Sequence, residues 1–137
     1  MSKGKVLIVD DEPYMQRLIE FSLKKSGYEF DSAMNGLEAL TKTDQFRPDL
    51  IVMDVAMPEM DGLEALEKLK QNEKTKNIPV IMLTAKGQLI TRQEAEKYGA
   101  SIFLTKPFSP SELLSQVSLF ILQYQQLKTD SQSEWFF

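Results

Sequence analysis

The chain of 137 residues contains neither cysteine nor histidine. Without cysteine there is no disulfide, no thiolate nucleophile and no sulfur-bound metal. Without histidine it lacks the commonest general base and the commonest transition-metal ligand. A resident metal would have to be held by oxygen, which selects Mg²⁺, Mn²⁺ or Ca²⁺. No apolar run approaches the ~20 residues that span a bilayer, and the N-terminus has no apolar signal region. A cytoplasmic protein without membrane contact is the expectation. Positive charge is also scarce: the formal net charge is −4. General affinity for nucleic acid is not implied, and no direct DNA binding is expected.

What is present is an alternation. Apolar strand-like runs fall near residues 4–9, 28–33, 49–54, 78–83 and 101–105. Helical patterns fall at 12–26, 35–46, 61–72, 88–98 and 110–127. Short continuous runs such as Val6-Leu7-Ile8-Val9 and Leu50-Ile51-Val52-Met53 suit strands buried on both faces. Five strands alternating with five helices predict an α/β domain, a doubly wound parallel sheet with right-handed crossovers. Capping signals agree. Asn35 precedes Glu38 by three residues, and Ser109-Pro110-Ser111-Glu112 opens the last helix. Gly27 and Gly99 sit where a helix-ending glycine belongs. The helix over 88–98 offers only Leu89, Ile90, Ala95 and Tyr98 for packing, so it is weakly anchored and a candidate movable surface. One domain over 1–127 is expected, followed by a flexible polar tail over 128–137 that ends in Trp135, Phe136 and Phe137.

Chemistry-bearing residues collect at strand ends. Asp10 and Asp11 follow the first run, and Asp54 ends the third. Thr84 follows the fourth run, and Lys106 follows the fifth, before Pro107. In an open parallel sheet ligands bind outside the carboxyl ends of the strands, so these residues should meet at one edge. Three carboxylates in a small space repel one another and demand a hard cation. Cation and ammonium together would cover the charge of a phosphoryl group in transfer, and a carboxylate can accept it covalently. A threonine hydroxyl can donate to a phosphoryl oxygen. Chemistry alone leaves the acceptor nearly open among the three acids. Asp54 is favoured because a central strand would face it toward both metal and Lys106.

The chain resembles a response-regulator receiver domain of two-component signalling, of the chemotaxis-regulator kind. The matching residues are VLIVDDE (6–12), DLIVMDVAMPEMDG (49–62), MLTA (82–85) and LTKPF (104–108), in order and at compatible spacing over about residues 4–124. The resemblance implies a flavodoxin-like sheet of strand order 2-1-3-4-5. It implies Asp54 as phosphoacceptor and Mg²⁺ (Mn²⁺ can substitute) held by Asp11 and Asp54, with Asp10 acting through water and the Ala56 carbonyl as a further ligand. It implies Thr84 and Phe103 as switch residues, Lys106 as the phosphate-contacting lysine and a cis Lys106-Pro107 bond. The donor would be a phosphohistidine on a histidine kinase or a histidine phosphotransfer protein, because this chain has no histidine of its own. The output partner is not legible. The chain would catalyse its own phosphorylation and a slow self-dephosphorylation, with Ala56 and Lys86 at the positions that tune phosphoryl lifetime.

Two rivals remain. A receiver-like module that binds partners without phosphorylation would keep the same fold. An aspartate-nucleophile phosphohydrolase would need an acid two residues after its nucleophile, where Ala56 stands. Bland readings also exist residue by residue. Asp11 could be a helix N-cap, Thr84 structural and Lys106 a solvated charge, while Met57, Met60 and Phe103 are more often packing. All of these would have to hold together to remove the site.

Overall fold

A computed structural model describes residues 2–85 and 92–134. In chain order the elements are β1 (Lys5–Val9), α1 (Pro13–Lys25), β2 (Glu29–Ala33), α2 (Gly36–Phe46), β3 (Leu50–Asp54), α3 (Gly62–Gln71), β4 (Val80–Ala85), α4 (Arg92–Tyr98), β5 (Ile102–Lys106) and α5 (Pro110–Glu134). The five strands form one parallel sheet ordered β2-β1-β3-β4-β5. This is the doubly wound α/β arrangement predicted from the alternation, with the expected strand order.

Alternating residues of each strand feed opposite faces. Leu7, Val9, Ile51, Met53, Val80 and Met82 pack with Ala39 of α2 and Ala65, Leu66 and Leu69 of α3. Val6, Ile8, Leu50, Val52, Ile81 and Leu83 pack with Ile19 and Leu23 of α1 and Leu113, Val117 and Ile121 of α5. Because β1 and β3 are covered on both sides, their sequences are uninterrupted apolar runs. Each such Leu or Ile, fully buried, contributes roughly 1.5–3 kcal/mol.

The caps form as the sequence implied. Asn35 accepts from the Glu38 amide at 2.9 Å, and Ser109 from the Glu112 amide at 3.1 Å. Gly27 and Gly99 adopt φ of 90° and 85°, which side chains disfavour. Asp11 does not cap α1; the N-cap is Glu12, and Pro13 opens the helix.

Three boundaries differ from the reading of the sequence. β4 runs on to Ala85, so Thr84 lies inside the strand rather than after it. Of the helix expected at 88–98, α4 is described from Arg92; Lys86, Leu89 and Ile90 fall outside the described residues. α5 continues to Glu134, through most of the stretch read as a tail. That stretch is polar, but neither glycine nor proline interrupts it. Its Lys128 reaches Asp49 at 3.5 Å, and the Gln125 amide reaches the Lys3 carbonyl at 3.4 Å. The helix runs on past these ties without an apolar stripe. Trp135, Phe136 and Phe137 fall outside the described residues.

Candidate functional site

Register places the chemistry at one edge. The Asp10 amide donates to the Ala33 carbonyl at 3.1 Å, which fixes Asp10 one step past β1. The Gln16 side chain, reaching back from α1, donates to the carbonyls of Asp10 and Ala33, both at 2.8 Å. Asp54 lies opposite Leu83, Thr84 opposite Thr105 and Ala85 opposite Lys106. The residues singled out in separate segments of the sequence thus stand side by side at the carboxyl ends of the strands.

Lys106 is the centre of the cluster. Its Nζ lies 3.1 Å from Asp10 Oδ2, 3.2 Å from Asp54 Oδ2 and 3.8 Å from Glu12 Oε1. Asp10 is fully buried and Asp54 nearly so. Burial, then the neighbouring Asp10 charge, hold the Asp54 carboxyl above the ordinary carboxylate range; Lys106 and the Ala56 amide only partly offset this. For Lys106, burial pulls downward, but the two carboxylates outweigh it and the ammonium is held above its usual value. The site therefore contains more negative charge than one ammonium satisfies.

Oxygens of Asp10, Glu12 and Asp54 all lie within 4.8 Å of one another, close enough to hold one metal ion. Three carboxylates with no nitrogen or sulfur donor suit a hard divalent cation. Glu12 was passed over in the sequence, although it directly follows the acid pair. Its amide donates to Asp10 Oδ1 at 2.9 Å, which turns the start of α1 toward the cluster. Asp11, expected as a ligand, is half-buried and is not in this group.

The loop after β3 is held against the site by backbone contacts. The Gly62 amide donates to the Val55 carbonyl at 2.8 Å, and the Gly36 amide to the Met60 carbonyl at 3.0 Å. A Cβ at Gly62 would collide with the Asp54 carbonyl oxygen, so only glycine lets α3 start this close to β3. Ala56 lies exposed in that loop with its amide near the Asp54 carboxylate. The Lys106-Pro107 peptide is cis, as the resemblance implied. Thr84 is buried. Phe103 is half-buried against the core beside Met82, its register partner. Met82 and Thr84 are two apart on β4, so Thr84 and Phe103 share one face of the sheet. Met57 and Met60 also pack on that core, in keeping with their bland reading.

A family profile described as the response regulator receiver domain matches residues 6–118. The chain belongs to this family. The receiver domain is 37% identical over 113 residues to the DNA-binding dual master transcriptional regulator RpaA of Synechocystis, covering 82% of the chain and 47% of RpaA. It is 41% identical to the alkaline phosphatase synthesis transcriptional regulatory protein PhoP of Bacillus subtilis, covering 82% of the chain and 46% of PhoP. Among solved structures it is similar to the chemotaxis response regulator CheY4 of Vibrio cholerae, with a TM-score of 0.79 and 36% identity over 85% of the chain and 98% of CheY4. The receiver spans about half the length of the curated relatives it matches. These relatives overturn one expectation. Direct DNA binding was excluded on net charge, yet a DNA-binding regulator is among them and aligns over less than half its length. The charge of a receiver does not describe what the rest of such a protein touches. No described helix is long and apolar enough to cross a membrane.

Proposed function

We propose that Asp54 is the phosphoacceptor and that phosphorylation there switches the surface formed by α4, β5 and α5. The observation that carries this is the Lys106 ammonium between Asp10 and Asp54, at 3.1 and 3.2 Å. Asp54 attacks the phosphorus of a partner's phosphohistidine. An O–P bond forms, the P–N bond breaks, and the imidazole leaves with its electron pair. Lys106 is already in place to neutralise the transferred oxygens, so little reorganisation accompanies the step.

Mg²⁺ would be held by Asp10 and Asp54, with Glu12 as the carboxylate added by geometry and Asp11 and the Ala56 carbonyl as further ligands. When bound, it supplies the positive charge that three acids and one lysine leave lacking. Lys106, held between Asp10 and Asp54, is the chain's own cation for the incoming phosphoryl oxygens. Thr84 then donates its hydroxyl to a phosphoryl oxygen, and Phe103, on the same face, moves into the space vacated. Shifting such an equilibrium from 1:99 to 99:1 takes roughly 5.5 kcal/mol. Two charge-assisted hydrogen bonds at about 3 kcal/mol each, or four at about 1.5, supply it. Residues 1–127 act as the receiver, located in the cytoplasm, with residues 128–137 as an appendage to it.

The test is phosphotransfer from a phosphohistidine protein, read by intact mass at graded Mg²⁺. One phosphoryl-sized increment that requires Mg²⁺ and is absent in Asp54→Asn is the expected result. An increment that survives in Asp54→Asn moves the acceptor elsewhere. No increment under any condition returns the domain to a binding module.

A further inference from the structure

We propose that the end of the sheet opposite Asp54 holds a second site, for a small phosphate-bearing anion. A cavity of about 260 Å³ opens where the α2–β3 and α3–β4 connections meet the C-terminal half of α5. Arg47, Lys74 and Lys128 line it, against a single lining carboxylate, Asp44.

Two of these cations have no counter-ion: neither Arg47 nor Lys74 forms an ion pair with a described residue. Lys128 is already paired, 3.5 Å from Asp49 and 4.8 Å from the centre of the Tyr124 ring. The nearest acid on the α3–β4 connection, Glu73, is engaged by Lys76 at 2.7 Å. In a chain of net charge −4, cations gathered around a hollow repel one another, and Arg47 and Lys74 gain no ion pair among the described residues to offset it. An anion seated between them removes that repulsion.

The surrounding backbone is fixed. Arg47 is the left-handed C-cap of α2, with φ of 53° and its amide on the Thr43 carbonyl at 3.0 Å. Pro48 follows it, buried. Across the cavity, the Thr75 hydroxyl donates to the Leu69 carbonyl at 2.6 Å, and its amide to the Asn72 carbonyl at 3.0 Å. The cations therefore project from two rigid loops and one helix. An Arg fork beside two ammonium groups matches the several oxygens of a phosphate dianion better than the two of a carboxylate. The volume falls just below the ~300–1,000 Å³ usual for drug-sized ligands, which is room for a small phosphate-bearing anion. Ile78 and Tyr124 give its carbon portion an apolar wall.

The test uses the intact chain without divalent metal. Amide resonances of Arg47 and Thr75 are followed during titration with inorganic phosphate at constant ionic strength. Saturable shifts are expected, with affinity at least ten-fold weaker in the double variant Arg47→Gln/Lys74→Gln and unchanged in Asp54→Asn. Both substituted side chains are exposed, so the variant folds, and an unchanged amide spectrum outside the cavity verifies this. Shifts that do not saturate, that chloride or glutamate reproduces, that persist in the double variant, or that vanish in Asp54→Asn each overturn the proposal.

Discussion

At the scale of single residues, the Asp54 carboxylate is costly to the fold that holds it. Burial first, and Asp10 second, raise its pKa above the ordinary value of 3.8. A carboxyl raised in the folded state contributes stability below its unfolded pKa and loses it as pH climbs through the folded value. Asp54→Asn should therefore melt higher than the parent at pH 7 in chelator, with the difference shrinking as pH falls through the raised folded value and gone once pH is below the unfolded value of 3.8; calorimetric melting across that range checks it. An advantage that stays constant with pH would refute the electrostatic cause. Lys106→Ala should have the opposite sign. It leaves two buried carboxylates without their shared ammonium, and breaking such a pair costs about 3–5 kcal/mol. Urea unfolding should show that loss in chelator and a partial recovery in millimolar Mg²⁺. Most of this site was legible in the sequence. Asp10, Asp54, Thr84 and Lys106 each sit where a strand pattern ends, and strand ends of a parallel sheet share one edge. Glu12 was not legible, because its approach to Lys106 depends on the angle at which α1 leaves the loop. Periodicity does not encode that angle.

At the scale of elements, the start of α3 is the tightest fit. Gly62 allows its backbone to lie against the Asp54 carbonyl, and Met82 closes the other side. Gly62→Ala should cost on the order of 1–3 kcal/mol through overpacking and slow phosphorylation by shifting Asp54, both measurable on one purified variant. Asn35→Ala should cost about 1 kcal/mol through the lost α2 cap, and leave phosphorylation intact. Together the two separate a structural glycine that touches the site from a cap that does not. Strands and caps were readable from sequence because their signals are local: a β-branched run, or an Asn three residues before a Glu. The reach of α5 was not. Polar composition over 128–137 suggested a tail, but the helix begun in the apolar part of α5 runs on to Glu134, tied at Gln125 and Lys128.

For the whole molecule, charge is divided between the two ends of the sheet. Acids crowd the carboxyl ends of the strands around Lys106, while Arg47, Lys74 and Lys128 surround the cavity at the other end. A ligand that binds only the folded chain stabilises it by RT ln(1 + [L]/Kd), about 2.7 kcal/mol at one hundred times Kd. Divalent cation and phosphate should thus raise the melting temperature independently, through opposite ends. The central claim is that the strand-end acids are built to take up a divalent cation. Calorimetric titration of Mg²⁺ into the metal-free chain tests it most directly. One equivalent should bind, with affinity lost or weakened at least ten-fold in Asp54→Asn and unaffected by Arg47→Gln. Absence of binding heat in the parent chain, or equal uptake by Asp54→Asn, would contradict it.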